Sequence, residues 1–325
     1  MKEIKATFKT LTPLWTGDAW GENTEIRPSS IIGGFRFWFE VYCQLIGCPI
    51  GKMSEKGIPS DNLDDYVKGY NKRNKIKETF YSLLEKELKD YSYNNALINV
   101  LNKIELPLPS KIFGCTGWKS QIEIERIDFS KYELKKSDID FSALYDKLNT
   151  VQTQSSEFWA NKLLFTDKKE IILFEDIQIF LFVNETVEEE FMEFLKFYKG
   201  KIIVIGSKKS FGFGFCKLET DLQLDSVALE NENKSFFDYK KTNIQNLNLK
   251  NDKVILGFNF KHYQRLKEQK RFREKNFGKQ SKASNFFFST KLKNQNEIYI
   301  IGFKEGMNDN LFNNLFSRYS EFGGN

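Results

Sequence analysis

Hydrophobic and polar positions near the start of the chain follow first the period of a strand and then the period of a helix. Residues Glu3–Leu11 alternate apolar and polar side chains, which predicts a half-buried strand. A loop follows, and Ser29 and Ser30 then precede an apolar-periodic run from Ile31 to Ile46. The run predicts a helix with a serine as its N-cap.

The same two periods recur further along the chain. Apolar runs or alternation predict strands at 121–129, 170–183 and 215–218, and helical spacing predicts a helix from Thr186 that ends near Gly200. An apolar stretch at 202–205 leads into the glycine-rich segment before the last of these strands. The resulting order is β-α-β-β-α-β. This order predicts an α+β, ferredoxin-like (RRM-like) core, in which an antiparallel sheet carries two helices on one face.

Two segments set the predicted domain organisation. Residues 51–109 are charged and carry helical spacing, so they predict a helical insertion in a first domain that spans 1–219. A polar, turn-rich linker at about 220–250 opens a second, smaller α+β domain that spans 220–325. Within it we predict strands at 253–262, 284–291 and 297–304 and a helix at 310–319, as in a degraded second copy of the ferredoxin-like unit.

Composition narrows the class of protein. The 325 residues are 40% hydrophobic and 15% aromatic with a net charge of +5, which is typical of a soluble globular protein and not of a disordered chain. No apolar run has the length of a membrane span, and the residues after Met1 lack a signal peptide, so we expect a cytoplasmic protein with no membrane partner. The spacing of the four cysteines and the single His262 predict no metal site, and no cofactor is expected.

The basic residues are concentrated in one segment. Residues 261–282 carry nine Lys or Arg side chains against two Glu, interleaved with His262 and aromatic residues. Cations neutralise phosphates and rings stack on bases, so the segment favours binding of single-stranded nucleic acid, although a solvated loop would have the same composition. The contacts we predict there are His262, Arg265, Arg271 and Arg273.

Two further segments contain residues that are suited to binding a phosphate group. The turn 206–214 combines glycines, which allow close approach of backbone N–H groups, with Lys208 and Lys209; a tight turn that binds nothing is the alternative. Its spacing fits neither a P-loop nor a dinucleotide fingerprint. The predicted helix start offers Ser29, Ser30 and the neighbouring Arg27, and an ordinary capped helix with Phe35, Trp38 and Phe39 in the core is the alternative there.

Four motifs occur in the order found in one family: Leu11–Gly17, Arg27–Trp38, Ile112–Gly117 and the glycine turn 206–214. In this respect the chain resembles the RAMP subunits of type III CRISPR effector complexes, most closely the first-numbered subunit of the Cmr (type III-B) complex. The resemblance covers roughly residues 1–219.

The resemblance implies a non-catalytic RNA-binding subunit with two ferredoxin-like units. Such a subunit lies near the 3′ end of the guide RNA, beside other RAMP subunits, and helps to capture single-stranded target RNA in antiviral defence. The RNA-facing residues carried over are Arg27, Ser29, Ser30, Arg36, Lys208, Lys209, Phe211 and Phe213. The chain departs from the family at Ile32 and Glu40, where relatives often have basic residues.

Two other functions stay open at this point. A RAMP-type endoribonuclease would need a general acid or base, for which the chain offers His262 and Asp18. Because these residues have no evident partners, we predict no catalytic residue. A protein-only structural cap would instead use the insertion at 51–109 to hold neighbouring subunits without touching RNA.

Overall fold

The computed structural model describes residues 1–17, 23–52, 54, 59–135, 139–140, 170–207, 213–219, 237–243, 254–259, 285–290 and 297–303. The chain divides into two compact units, each assembled from separate segments. The first unit comprises Met1–Ala6, Ile32–Ile127 and Ile179–Tyr198. The second unit comprises Thr7–Ile31, Asp128–Gln178 and Lys199–Asn325.

The strands form two sheets. In chain order they are β1 (Lys2–Thr10), β2 (Ile122–Lys135), β3 (Ile139–Asp140), β4 (Glu170–Val183), β5 (Ile202–Val204), β6 (Phe215–Glu219), β7 (Phe237–Asn243), β8 (Val254–Asn259), β9 (Asn285–Thr290) and β10 (Glu297–Phe303). The first sheet has the order β2-β4-β1-β6-β5. It is antiparallel where β6 pairs with β1 and with β5, with Phe8 opposite Leu218 and Ile203 opposite Cys216.

The helices are α1 (Pro28–Leu45), α2 (Leu63–Asn74), α3 (Phe80–Glu87), α4 (Tyr93–Lys103), α5 (Leu108–Phe113) and α6 (Glu188–Tyr198). With α1 between β1 and β2 and α6 between β4 and β6, the mixed α+β order agrees with the prediction, and β5 adds an edge strand. The bounds of β4 are those predicted. None of the described helices has both the length and the hydrophobicity needed to cross a membrane.

Aromatic side chains join α1 to α6 in the first unit. The Phe35 ring lies 6.1 Å from the Phe191 ring and 6.2 Å from the Phe194 ring, both edge to face. Trp38 packs on Tyr198 with ring centroids 5.5 Å apart. The prediction that Phe35, Trp38 and Phe39 belong to the core is confirmed, since all three side chains are fully buried. Edge-to-face pairs of this kind add about 0.5–1.5 kcal/mol each beyond their burial.

The segment predicted as a helical insertion contains α2, α3 and α4 and has its own apolar core. The helices pack through buried aliphatic side chains, which are Leu63, Val67, Leu83, Leu84, Ala96, Leu97, Val100, Leu101, Ile104 and Leu106. Helix α3 begins with a capping box, in which Thr79 Oγ1 accepts from the Ser82 amide at 3.1 Å and Ser82 Oγ accepts from the Thr79 amide at 2.9 Å. The helical spacing lies at about 75–101, so it predicted α3 and α4, whereas α2 lies before that segment and was not predicted.

The second sheet has the order β3-β8-β9-β10-β7 and is described by its backbone. Three of its strands, β8, β9 and β10, lie within the segments predicted as strands. Strand β7 lies in the predicted linker, which is therefore not wholly irregular, and it pairs antiparallel with β10. The predicted helix at 310–319 lies outside the described residues, and the domain boundary at 219/220 stays a prediction.

Candidate nucleic-acid interface

The start of α1 differs from the predicted cap. The helix begins at Pro28, whose fixed φ and missing N–H suit the first helical position. The Arg27 carbonyl accepts from the Ser30 amide at 3.0 Å and from the Ile31 amide at 3.3 Å. The prediction of a serine N-cap is therefore wrong, because the helix begins at Pro28, about one turn earlier in the chain than predicted. Ser29 and Ser30 lie within the first turn, and Ser29 is exposed.

The loop after β1 holds this helix start in place. Thr16 Oγ1 donates to the Glu25 carbonyl at 2.9 Å and lies 3.4 Å from the Arg27 amide, which donates to it. Asn23 Oδ1 accepts from the amides of Thr16 at 2.9 Å and Gly17 at 3.1 Å. The motif Leu11–Gly17, which follows β1, and the motif Arg27–Trp38, which contains the start of α1, are thus joined by hydrogen bonds.

The glycine turn is fixed to the same loop. The Ser207 amide donates to the Trp15 carbonyl at 2.6 Å, and Ser207 Oγ donates to the Thr16 carbonyl at 3.0 Å. At the other end of the turn, the Gly214 amide donates to the Pro13 carbonyl at 2.9 Å. Thr16 therefore contacts both the glycine turn and the helix start, so three motifs of the sequence meet at the loop 11–17 in the second unit.

Backbone geometry explains two glycines of the turn. Gly206 and Gly214 have φ values of +81° and +82°, a region that L side chains rarely adopt. A Cβ on Gly206 would lie 2.5 Å from the Trp15 carbonyl oxygen, and a Cβ on Gly214 would lie 1.9 Å from the Ile205 carbonyl oxygen. These glycines allow the close contact between the turn and the loop. A tight turn that binds nothing requires this geometry, and a phosphate-binding turn is compatible with it.

Arg27 and Phe213 are the candidates that border this junction. Arg27 is half-buried at the helix start. Phe213 is fully buried, and its ring centroid lies 5.8 Å from that of Trp15, so it supports the turn from inside. RNA contact by Phe213 stays a prediction. Seven other candidates lie outside the described residues: Lys208, Lys209, Phe211, His262, Arg265, Arg271 and Arg273.

Arg36 lies in the first unit, where it contacts α5 and the motif that follows. Its Nε forms an ion pair with Glu40 Oε1 at 3.0 Å, and the Arg36 side chain is 16% exposed. Its Nη1 donates to the Gly114 carbonyl at 2.5 Å and its Nη2 to Ser110 Oγ at 3.2 Å. Glu40, the departure from the family, is thus the partner of Arg36. These contacts support a structural role for Arg36, and RNA contact by it stays a prediction.

A buried carboxylate that the sequence analysis missed extends this network. Asp61 is 3% exposed and accepts from Ser110 Oγ at 2.6 Å, Tyr66 OH at 2.5 Å and the Lys52 amide at 2.8 Å. Burial, and then the hydrogen bond to Asp61, raise the pKa of Tyr66 well above its ordinary value. The residues are far apart in sequence, so no local spacing could have indicated the network.

At the junction in the second unit, the Arg27 guanidinium has the geometry to bind a phosphate through two hydrogen bonds. The positive end of the α1 dipole lies beside it, but Pro28 has no N–H and the Ser30 and Ile31 amides already donate to the Arg27 carbonyl. Within the described part of the chain, no cluster of three or more His, Cys, Asp or Glu could hold a metal ion. The arrangement can therefore position a phosphate backbone through Arg27 and the exposed start of α1.

Comparison with protein families matches residues 7–217 to the RAMP superfamily. A search of the curated proteins finds no match. The matched segment contains all four motifs, the loop 11–17, the start of α1 and the glycine turn. The match extends over more than half of the 325 residues, so the resemblance is confirmed at the level of the superfamily. This chain belongs to the RAMP superfamily.

Proposed function

We propose that the chain is a non-catalytic RNA-binding subunit of a type III-B (Cmr) CRISPR effector complex. In this proposal it lies near the 3′ end of the guide RNA and assists capture of single-stranded target RNA in antiviral defence. Its partners are the guide RNA, the target RNA and other RAMP subunits in the cytoplasm. The proposal includes two tandem ferredoxin-like domains with a boundary near 219/220.

The observation that carries the proposal is the junction at loop 11–17. Hydrogen bonds from Ser207 and to Thr16 hold the glycine turn and the start of α1 to one loop, in a chain that belongs to a superfamily of RNA-binding proteins. Lys208 and Lys209 follow Ser207 directly in the sequence. Two phosphate-binding elements tied to one rigid loop would recognise successive parts of an RNA backbone, since phosphate contacts fix the register of a bound strand.

The experiment that tests RNA binding measures its dependence on salt. For single-stranded RNA, log K falls with log salt with a slope of about −0.7 for each phosphate neutralised. We expect the variant Lys208→Ala/Lys209→Ala to bind RNA more weakly and with a shallower slope. The matched control is Lys68→Ala/Lys119→Ala, which removes the same charge from two lysines that are 77% and 84% exposed elsewhere on the chain.

The outcomes separate the three functions. An unchanged slope in a folded Lys208→Ala/Lys209→Ala variant, or an equal effect of the control, would contradict RNA binding at the glycine turn. A wild-type protein with no RNA affinity would favour the protein-only cap. Cleavage of labelled RNA that is lost in Asp18→Ala or His262→Ala would favour the endoribonuclease.

A further inference from the structure

Exposed large hydrophobic side chains are concentrated on one part of the insertion. Of the seven in the part of the chain that the structure describes, five lie between residues 76 and 93. Tyr81, Tyr93 and Tyr91 are 75%, 60% and 50% exposed, and Leu88 is 41% exposed. Exposed hydrophobic side chains are ordinary when they are scattered, whereas a group of aromatic ones indicates a binding surface.

These side chains lie along one helix and the turn that follows it. Tyr81 lies on α3 and Leu88 is its C-cap in helical conformation, so the seven-residue spacing places both on the same side of the helix. Leu83, on the far side of α3, and Leu84, between the two sides, are buried in the core of the insertion. Tyr91 follows in the connection to α4, and Tyr93 is the first residue of α4. We call Tyr81, Leu88, Tyr91 and Tyr93 the tyrosine surface.

In the segment 72–93, which contains the tyrosine surface, basic side chains outnumber acidic ones. Glu78 pairs with Lys86 at 2.5 Å and Glu87 pairs with Lys103, and hydrogen bonds from these lysines hold the pKa of each carboxyl below its ordinary value. The exposed acids that are left near it are Glu85 and Asp90. Four exposed lysines form no ion pair within the described residues, namely Lys72, Lys75, Lys77 and Lys89.

We infer that the tyrosine surface binds single-stranded RNA, with bases stacked on Tyr81, Tyr91 and Tyr93 and phosphates near the surrounding lysines. The inference rests on the proposed function and adds to it an RNA contact made by the insertion. Exposed rings with unpaired cations suit single-stranded RNA, because every base has a face that can stack. Lysine is depleted in protein interfaces, so the surrounding charge favours RNA over a protein partner.

The experiment compares two triple variants of the full chain with a fluorescein-labelled oligouridylate. Tyr81→Ala/Tyr91→Ala/Tyr93→Ala removes the rings, and we expect affinity to fall by about tenfold. Tyr81→Phe/Tyr91→Phe/Tyr93→Phe keeps the rings, and we expect affinity within about twofold of the wild type. Neither variant removes a cation, so the salt slope should not change. Because the three side chains are exposed, both variants should fold, which the thermal unfolding midpoint checks.

Ultraviolet crosslinking of the same RNA locates the contact directly. We expect crosslinked peptides that contain Tyr81, Tyr91 or Tyr93. If the alanine variant binds as the wild type does while Lys208→Ala/Lys209→Ala weakens binding, the inference is wrong and the proposed function survives. If the wild type binds no RNA, both fail. Loss of co-purifying subunits with unchanged RNA affinity would assign the surface to a protein partner and overturn the inference.

Discussion

At the scale of single residues, the glycine turn depends on positions where no side chain fits. Gly214 has a φ of +82°. Its amide donates to the Pro13 carbonyl, and its carbonyl accepts from the Ile205 amide. A methyl group at this position would lie 1.9 Å from the Ile205 carbonyl oxygen. Because that atom belongs to the backbone, the turn would have to move away from the loop 11–17.

We therefore expect Gly214→Ala to lower the free energy of unfolding by about 2–4 kcal/mol. The matched control is Gly33→Ala on α1, where an added Cβ has no neighbour within 4 Å. Alanine is the better helix former, so this control should be neutral or stabilising by up to about 1 kcal/mol. Urea unfolding measures the free energy of unfolding of both variants. Equal stability of Gly214→Ala and the wild type would contradict the described geometry of the turn.

At the scale of elements, Arg36 connects α1 to α5. Its partner Glu40 is buried, and its other two contacts are with Ser110 and the Gly114 carbonyl. An arginine in this position satisfies three acceptors that would otherwise lose a hydrogen bond on burial. The Arg36 guanidinium thus holds α1 to α5 and to the Gly114 carbonyl that follows it.

Removal of the Arg36 guanidinium should destabilise the fold. We expect Arg36→Ala to lower the free energy of unfolding by about 3 kcal/mol, because it removes the positive charge that faces the buried Glu40 carboxylate. Arg73→Ala serves as the control, since the Arg73–Glu105 pair at 3.1 Å is exposed, with side chains 49% and 68% accessible. Breaking that pair should cost less than about 1 kcal/mol. Equal effects in urea unfolding would show that the Arg36 contacts do not hold α1 to α5.

Local patterns predicted the elements better than they predicted their contacts. An apolar run defined the bounds of β4, and alternation nearly defined those of β1, because buried and exposed positions alternate along a half-buried strand whatever its neighbours are. The start of α1 was misplaced because Pro28 and not a serine begins it. Strand β7 was missed because its sequence is polar and resembles a linker.

The candidate site was predictable in its motifs but not in their arrangement. Sequence order alone could not show that Thr16 and Ser207 hydrogen-bond, since they are 191 residues apart. Nor could it show that the Phe213 ring in the glycine turn is buried. Such outcomes are set by tertiary contacts, which local propensity does not encode.

At the scale of the whole molecule, the buried thiols of Cys43 and Cys216 and the partly buried thiol of Cys115 make stability depend on pH. Burial raises the pKa of Cys43 to about 12 and that of Cys115 to about 11, and it raises the pKa of Cys216 further. In the unfolded chain the same thiols titrate near pH 8.5. Above about pH 8.5 the unfolded state therefore loses protons that the folded state keeps, and stability falls as pH rises.

We expect the free energy of unfolding, measured with urea, to be flat between about pH 6 and 8 and to fall above about pH 9, by up to about 1.4 kcal/mol per pH unit for each fully buried thiol. Cys43→Ala removes one of these groups, so its pH dependence should be shallower than that of the wild type. A wild-type free energy of unfolding that stays constant or rises between about pH 8.5 and 10 would contradict the burial of these side chains.

The most direct test of the central claim is to purify the tagged chain from its native host at mild salt, identify the proteins that come with it and sequence the RNA. Binding of guide RNA in an effector complex predicts short RNAs that share one repeat-derived end, together with other RAMP subunits. Recovery of the chain alone and free of RNA would contradict it, since membership of the superfamily would then indicate a fold without this function.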